Sequence, residues 1–433
     1  MDSAPLHPEP GPTPPGTERA KIYLAKSLRA VAYGLLSAAL LLYLEFDLGF
    51  TTLDGLVITS LTLVGSAVAS LVGVRPVARR LGTRSGFLLF SALFVASAAL
   101  LYLSSEPVVV LLAVLVGGVA AASADNGPLA SLDQSMLASL TEGGDAGETF
   151  ARYNLFASFA SAAGALLVAV PSALTPTSVP LLPGAPHAWV WLAYLALAVA
   201  MLGVYASLAP VGDVSRPKES SHRPPTDPVT RRRIFDLAAL FSLDAFAGGL
   251  VINPLIAAYF VLAWGADAAA VGEILFVVGA VSGLSFLLAS ALARRFGLLR
   301  TMVATHLPSN VLLAVVPLMP TFGLALAALV ARSSLSQMDV PTRQAYSMAL
   351  VPAADRAPTA ATLAGSRGVA QSIGPFPGSA LEAAGYLGAP FLIAGALKSG
   401  YDLAVYVRFR RVALAGGPRN EATSGPSAPQ GSR

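Results

Sequence analysis

The sequence predicts an all-α membrane protein, with twelve transmembrane helices in two pseudo-symmetric six-helix bundles. Three observations carry this. Of 433 residues, 55% are hydrophobic and only 12% charged, and the mean hydropathy is +0.67. Apolar segments near the ~20 residues that cross a ~30 Å hydrocarbon core recur along the chain. Lys and Arg keep to every second connection between them. A soluble domain carries about 25% charged residues, so the composition excludes a disordered chain, a nucleic-acid module and an ordinary cytosolic enzyme. The pI of about 9.4 then reports topology rather than a nucleic-acid partner. Without cysteine, no disulfide, thiolate metal site or cysteine nucleophile is available.

Residues 1–20 hold Pro5, Pro8, Pro10, Pro12, Pro14 and Pro15 and read as a disordered tail. Apolar runs follow at residues 25–45, 54–74, 86–104, 107–136, 148–171 and 187–208, within a first bundle of residues 21–209. A polar, Pro- and Ser-rich linker spans residues 210–233. The second bundle, residues 234–411, has runs at 234–263, 268–292, 301–320, 322–350, 358–380 and 384–405, before a second polar tail at 412–433. No short-strand alternation suggests a barrel, and helices satisfy their own backbone groups in lipid. Lys21 and Lys26 precede the first span. Arg75, Arg79, Arg80 and Arg84 follow the second, Arg231, Arg232 and Arg233 close the linker, Arg294, Arg295 and Arg300 follow the eighth, and Arg408, Arg410 and Arg411 follow the last. The alternate loops hold no Lys or Arg. Basic loops stay cytoplasmic, so both termini are expected in the cytoplasm and the chain in the inner (plasma) membrane.

The basic loops also expose a repeat. Ala78-Arg79-Arg80-Leu81-Gly82 recurs 215 residues later as Ala293-Arg294-Arg295-Phe296-Gly297. At the same spacing Ser27-Leu28-Arg29-Ala30 meets Ser242-Leu243-Asp244-Ala245, and Gly34 meets Gly249. Asp125 matches Asp339, Pro128 matches Pro341 and Glu142 matches Asp355 at 213 or 214 residues. Parallel halves of this kind place a site at their interface, near the middle of the membrane.

With its twelve spans, central cytoplasmic linker and basic, Gly-containing loops after spans 2 and 8, the chain resembles the major facilitator superfamily over residues 20–410. The segments from Gly127-Pro128 to Glu142 and from Pro341 to Arg356 look like the ends of helices 4 and 10 in that family. The resemblance is to efflux-permease-type members of unproven substrate. It implies gating loops at Arg79, Arg80, Gly82, Arg294, Arg295 and Gly297. Arg75 and Arg79 depart from the family's loop pattern, and its proton-antiport arginine is missing from residues 111–124. The function it implies is secondary transport of a small organic solute or drug by alternating access, with proton-coupled efflux as the leading form. The alternatives are a uniporter or uptake symporter for an organic anion, and a non-transporting membrane receptor.

A charge inside a bilayer is costly enough to mark function by default. Arg29 and Asp244 stand at equivalent places inside helices 1 and 7, where opposite charges suit a gate or a polar substrate. Asp125 with Asn126, and Asp339, precede prolines in helices 4 and 10 and are candidate proton carriers. Asp339 has two rival partners. Arg343 lies one turn on, and Arg367 is level with it within about 6 Å on the next helix. Arg332 has no obvious partner and is the leading candidate for an anionic substrate group. Asn154, Asn253, Gln337 and Gln371 are weaker cavity candidates, Lys398 is expected to snorkel to the surface, and Glu273 to be solvated. The four histidines form no metal-ligand spacing, and no phosphate-binding loop or nucleophile elbow is present. The expectation is a monomer in lipid with a small-molecule substrate, a proton as candidate coupling ion, no cofactor, no metal, no nucleic acid and no enzymatic activity.

Overall fold

A computed structural model describes residues 15–44, 48–51, 54, 58, 61, 65–66, 68–116, 127–140, 146–169, 188–209, 227–351 and 356–412. Every regular element among them is helical. The first half holds α1 (Pro15–Leu42), a π-helical turn at Ala69–Gly73 leading into α2 (Val74–Leu81), α3 (Thr83–Leu103), α4 (Pro107–Val116), α5 (Pro128–Leu140), α6 (Ala146–Leu166) and α7 (Ala188–Ala206). The second holds α8 (Pro228–Gly249), α9 (Asn253–Trp264), α10 (Ala268–Phe296), α11 (Leu298–Val315), α12 (Phe322–Ser336), α13 (Asp339–Ala349), α14 (Arg356–Ile373), α15 (Pro375–Ala383) and α16 (Ala389–Phe409).

Local chemistry sets the boundaries. Pro15 stands first in α1, where its missing N–H costs nothing, so the helix starts inside the segment expected as a tail. Asp227 caps α8 by accepting from the amides of Val229 and Thr230. The Thr230 hydroxyl and amide, then the Val229 amide, hold this exposed carboxyl below its usual range. Asp267 and Thr321 cap α10 and α12 in the same way. Gly82 and Gly297 each end one helix and start the next, with φ 84°, ψ 160° and φ 84°, ψ 158°. A side chain is strained at that φ, so glycine is required at both turns.

Five described helical stretches are long and apolar enough to cross a membrane: Thr83–Leu103, Trp189–Ala206, Pro228–Trp264, Ala268–Phe286 and Leu298–Leu318. Other expected spans are interrupted. The tenth is divided at Gln337–Met338, between α12 and α13, and the eleventh at Gly374, where Pro375 starts α15. Span 7 is also broken, at Leu250–Ile252, where Ile252 is extended and Pro254 follows. Most of span 2 and the middle of span 4 lie outside the described residues. Side chains such as Leu103, Val108, Phe235 and Val407 are two-thirds or more exposed, the apolar exterior that lipid requires.

Helix packing repeats between the halves. α1 packs on α6 as α8 packs on α14, α3 on α7 as α11 on α16, and α1 on α7 as α8 on α16. The first crossing is backbone against backbone. A Cβ on Gly34 would overlap the Ser161 carbonyl, and one on Gly249 would sit 2.6 Å from the Gln371 carbonyl oxygen. Small residues permit such an approach.

The apolar core of the first half, including Tyr43 and Leu44, continues into Ile252, Leu255, Ala257, Ala258, Val271 and Leu275 of the second. The halves are therefore sealed together at the end remote from the start of α1. There α10 also runs along α6, with Gly279 against Ala162 and Gly283 against Ser158 and Phe159. The rest of the second half has two apolar layers. One holds Leu250, Ile256, Leu313 and Phe391; the other holds Leu237, Phe241, Met302, Val405 and Phe409. Between these layers α8, α11 and α16 carry the buried polar side chains Asp244, His306, Asn310, Lys398 and Asp402, which form the candidate site.

Candidate functional site

Among the described residues, each half carries a buried ionic cluster. In the first, Arg29 on α1 donates from Nη2 to Asp133 Oδ2 on α5 at 2.6 Å and from Nη1 to Tyr205 Oη on α7 at 2.6 Å. Tyr205 donates on to Asp133 Oδ1 at 2.9 Å, and Tyr153 on α6 to Asp133 Oδ2 at 3.0 Å. Arg29 and Asp133 are both fully buried. Four helices close on one ion pair whose oxygens all have donors, the condition under which buried charges are tolerated.

The second cluster centres on Asp244 of α8, the repeat mate of Arg29. Lys398 on α16 donates to Oδ1 at 2.6 Å; Arg367 on α14 and Arg343 on α13 donate to Oδ2 at 2.9 Å and 3.3 Å. Arg343 also bonds Asp339, and Arg367 the Phe241 carbonyl at 3.1 Å. His306 on α11 places Nδ1 2.9 Å from Asp402 and Nε2 3.7 Å from Asp244. The carboxylate of Asp402 can only accept, so Nδ1 carries the proton. Asn310 donates to Asp402 at 2.8 Å.

Arg332 on α12 differs from all of these. It lies in electrostatic range of Asp339 and Asp244, yet its buried Nε has no hydrogen-bond partner. Among the described residues of this layer, three carboxylates (Asp244, Asp339, Asp402) face four permanent cations (Arg332, Arg343, Arg367, Lys398) and one histidine. The layer carries a positive excess with one guanidinium uncommitted.

No family model and no curated protein matches the chain. Solved structures do. The human organic anion transporter MFSD10 (TETRAN) superposes with a TM-score of 0.66 at 16% identity, covering 91% of this chain and 100% of that one. The nucleoside transporter NupG gives 0.66 at 13%, covering 91% and 99%. A bacterial homologue of the human lysosomal transporter Spinster, inward-facing and unoccupied, gives 0.60 at 11%, covering 92% and 96%. The chain has an all-α, multi-helix membrane-protein fold related to that of these transporters. These similar structures are transporters rather than enzymes.

Within this fold the expected pairings are redrawn. Arg29 and Asp244 do not form a cross-cavity pair; each is neutralised inside its own half. Asp339 bonds Arg343, its neighbour on the same helix turn, and not Arg367, which is drawn to Asp244 instead. Arg332 remains without a hydrogen-bonding partner at Nε, as its sequence context suggested. Lys398 does not snorkel, because its ammonium is held by Asp244. Asp125 and Asn126 lie outside the described residues. Of the expected gating residues, Arg80, Arg294 and Arg295 are exposed and Gly82 and Gly297 form the matched turns, while the Arg79 side chain lies outside the described residues. Sequence reading missed Asp133, His306 and Asp402 as members of these clusters. His306 and Asp402 sit at helical spacing with other polar residues (Asn310, Lys398), a signal that each helix presents one polar face.

Proposed function

We propose that this chain is a secondary transporter of a small organic anion, a uniporter or uptake symporter working by alternating access. The uncommitted Arg332 guanidinium, in a layer with more permanent cations than carboxylates, carries the reading. An anion entering this layer meets a charge already desolvated, so it gains a charge-assisted hydrogen bond without displacing an existing partner. It also weakens the pull of Arg332 on Asp339 and Asp244, which gives it a different affinity for different arrangements of these helices. Without such a difference no ligand shifts a conformational equilibrium. The similarity to an organic anion transporter supports this over proton-coupled drug efflux. The two halves, residues 21–209 and 234–411, rock about the site in a plasma membrane, with both termini cytoplasmic.

Counterflow in proteoliposomes against a panel of organic anions, nucleosides and cationic drugs tests the reading. At least one anion is expected to exchange, and Arg332→Ala to weaken its binding. A protein that exchanges cations or nucleosides alone, or an Arg332→Ala variant with unaltered anion affinity, overturns it. If no solute moves or stabilises the protein, the receptor alternative replaces it.

A further inference from the structure

Glu382, close to the end of α15, is 2% exposed, and neither carboxylate oxygen has a hydrogen-bond partner. The sequence places it in a loop between spans 11 and 12, where water would solvate it. The helix instead continues through Ala383 and carries it inside. Gly378, one turn earlier on the same face, rests on Leu250 and Leu255, so Glu382 lies over the seam where α15 meets α9.

Among the described residues no cation stands ready for it. The elements packed most closely on α15 are α9, α14 and α16. α9 has no Asp, Glu, Lys, Arg or His, and its Tyr259 ring packs edge-on against Phe260 and at a tilt against Phe391. On α14, Arg367 is bonded to Asp244 and the Phe241 carbonyl, and Arg356 stands at the far end of the helix. On α16, Lys398 is bonded to Asp244, Asp402 to His306 and Asn310, and Arg408 to Asp236, while Tyr401 and Tyr406 lie toward the other end. A buried carboxylate without a hydrogen-bond partner is far more costly than a buried carboxylic acid, so such a group neutralises itself by taking up a proton.

We propose that Glu382 is a proton-binding site of the transport cycle, occupied while this end of the molecule is sealed and emptied when it opens. The geometry links the site to opening. Leu255 of α9, which meets Gly378 across the seam, belongs with Ala257 and Ala258 to the apolar cluster that joins the two halves. Separating the halves there admits water to α9 and then to Glu382. That proton leaves and returns on the one side that opens, so it moves no net proton, and acid on that side holds this end shut. That role rests on the transport reading, whereas the neutral carboxyl does not.

Two measurements on the full chain decide it. Infrared spectra of wild type and Glu382→Gln in lipid at neutral pH should differ by one carboxylic-acid C=O stretch, present in wild type and lost in the variant. Equal absorbance in that carboxylic-acid band means an ionised Glu382 and overturns the site. In proteoliposomes, anion exchange should slow as the pH is lowered for wild type and lose that dependence in Glu382→Gln. A variant that keeps the wild-type pH dependence overturns the role in the cycle. If Glu382→Gln does not fold, Glu382→Met, uncharged and of similar length, serves for both measurements. A wild type that moves no solute fails as a transporter, and the infrared band still decides whether the proton is there.

Discussion

Arg29 and Asp133, 104 residues apart, meet at 2.6 Å with both side chains fully buried. Removing either partner strands the other charge. Arg29→Met and Asp133→Leu are each expected to destabilise the fold by about 3–5 kcal/mol. The double variant should recover much of that loss, because two apolar side chains of similar volume leave no orphaned charge. A thermal-unfolding series in detergent reads both effects. Additive losses would mean that the pair is not the unit of stability.

Arg332 predicts a different balance. Its buried Nε makes no hydrogen bond, so Arg332→Met should cost far less stability than Arg29→Met, while its anion affinity should fall. Hydrogen bonds to charged groups contribute about 1.5–3 kcal/mol, which corresponds to a loss of roughly tenfold or more in binding. Titration of a transported anion against the purified variant measures this, and a variant that unfolds early while binding normally would assign Arg332 to structure.

The helix crossings predict a steric pattern. Gly34→Leu and Gly164→Leu push a side chain into the Ser161 and Val31 backbones and should abolish monodisperse protein. Gly203 and Gly400 have open space where a Cβ would stand, and Ala there should be neutral or slightly stabilising. Size-exclusion profiles separate the two groups. If Gly34→Leu elutes as wild type does, α1 and α6 are not in backbone contact.

Asp227 predicts a pH dependence at the start of α8. Its folded-state carboxyl is depressed by the Thr230 and Val229 donors, so the cap is fully present above the unfolded carboxylate range of about 3.9. It is lost as pH falls through the depressed folded value. Amide exchange at Val229 and Thr230 should therefore accelerate, relative to the rest of the helix, only in strong acid. In Asp227→Ala it should be fast at every pH.

How much of this was legible in the sequence depended on whether the cause was local. The matched turns at Gly82 and Gly297 could be read because a basic pentapeptide repeats in sequence. Their identical φ shows that the repeat is one of backbone as well as of letters. Arg332 could be singled out because neighbouring turns offer no acid. Lys398 was misread because its partner is 154 residues away, and its distance from a span end is all that sequence displays. Asp339 had two plausible partners by spacing, and Asp244 decided between them by attracting Arg367. The breaks at Leu250–Ile252 and Gly374 were hidden within long apolar runs, since hydropathy measures solubility in lipid and not helical continuity.

The surplus cation in the second half has an electrical consequence. With the site empty, the described charges of that layer sum to one positive unit; a monovalent anion cancels it. A unit charge crossing a 100 mV membrane potential is worth about 2.3 kcal/mol. On the proposed anion-transport reading, the empty protein is therefore the form that feels the voltage when it changes sides, and the loaded form is nearly blind to it. Potassium-diffusion potentials across proteoliposomes should alter net flux, which requires the empty return, and leave one-for-one exchange untouched. Equal voltage sensitivity in the two modes would mean that the surplus charge does not sit in the field.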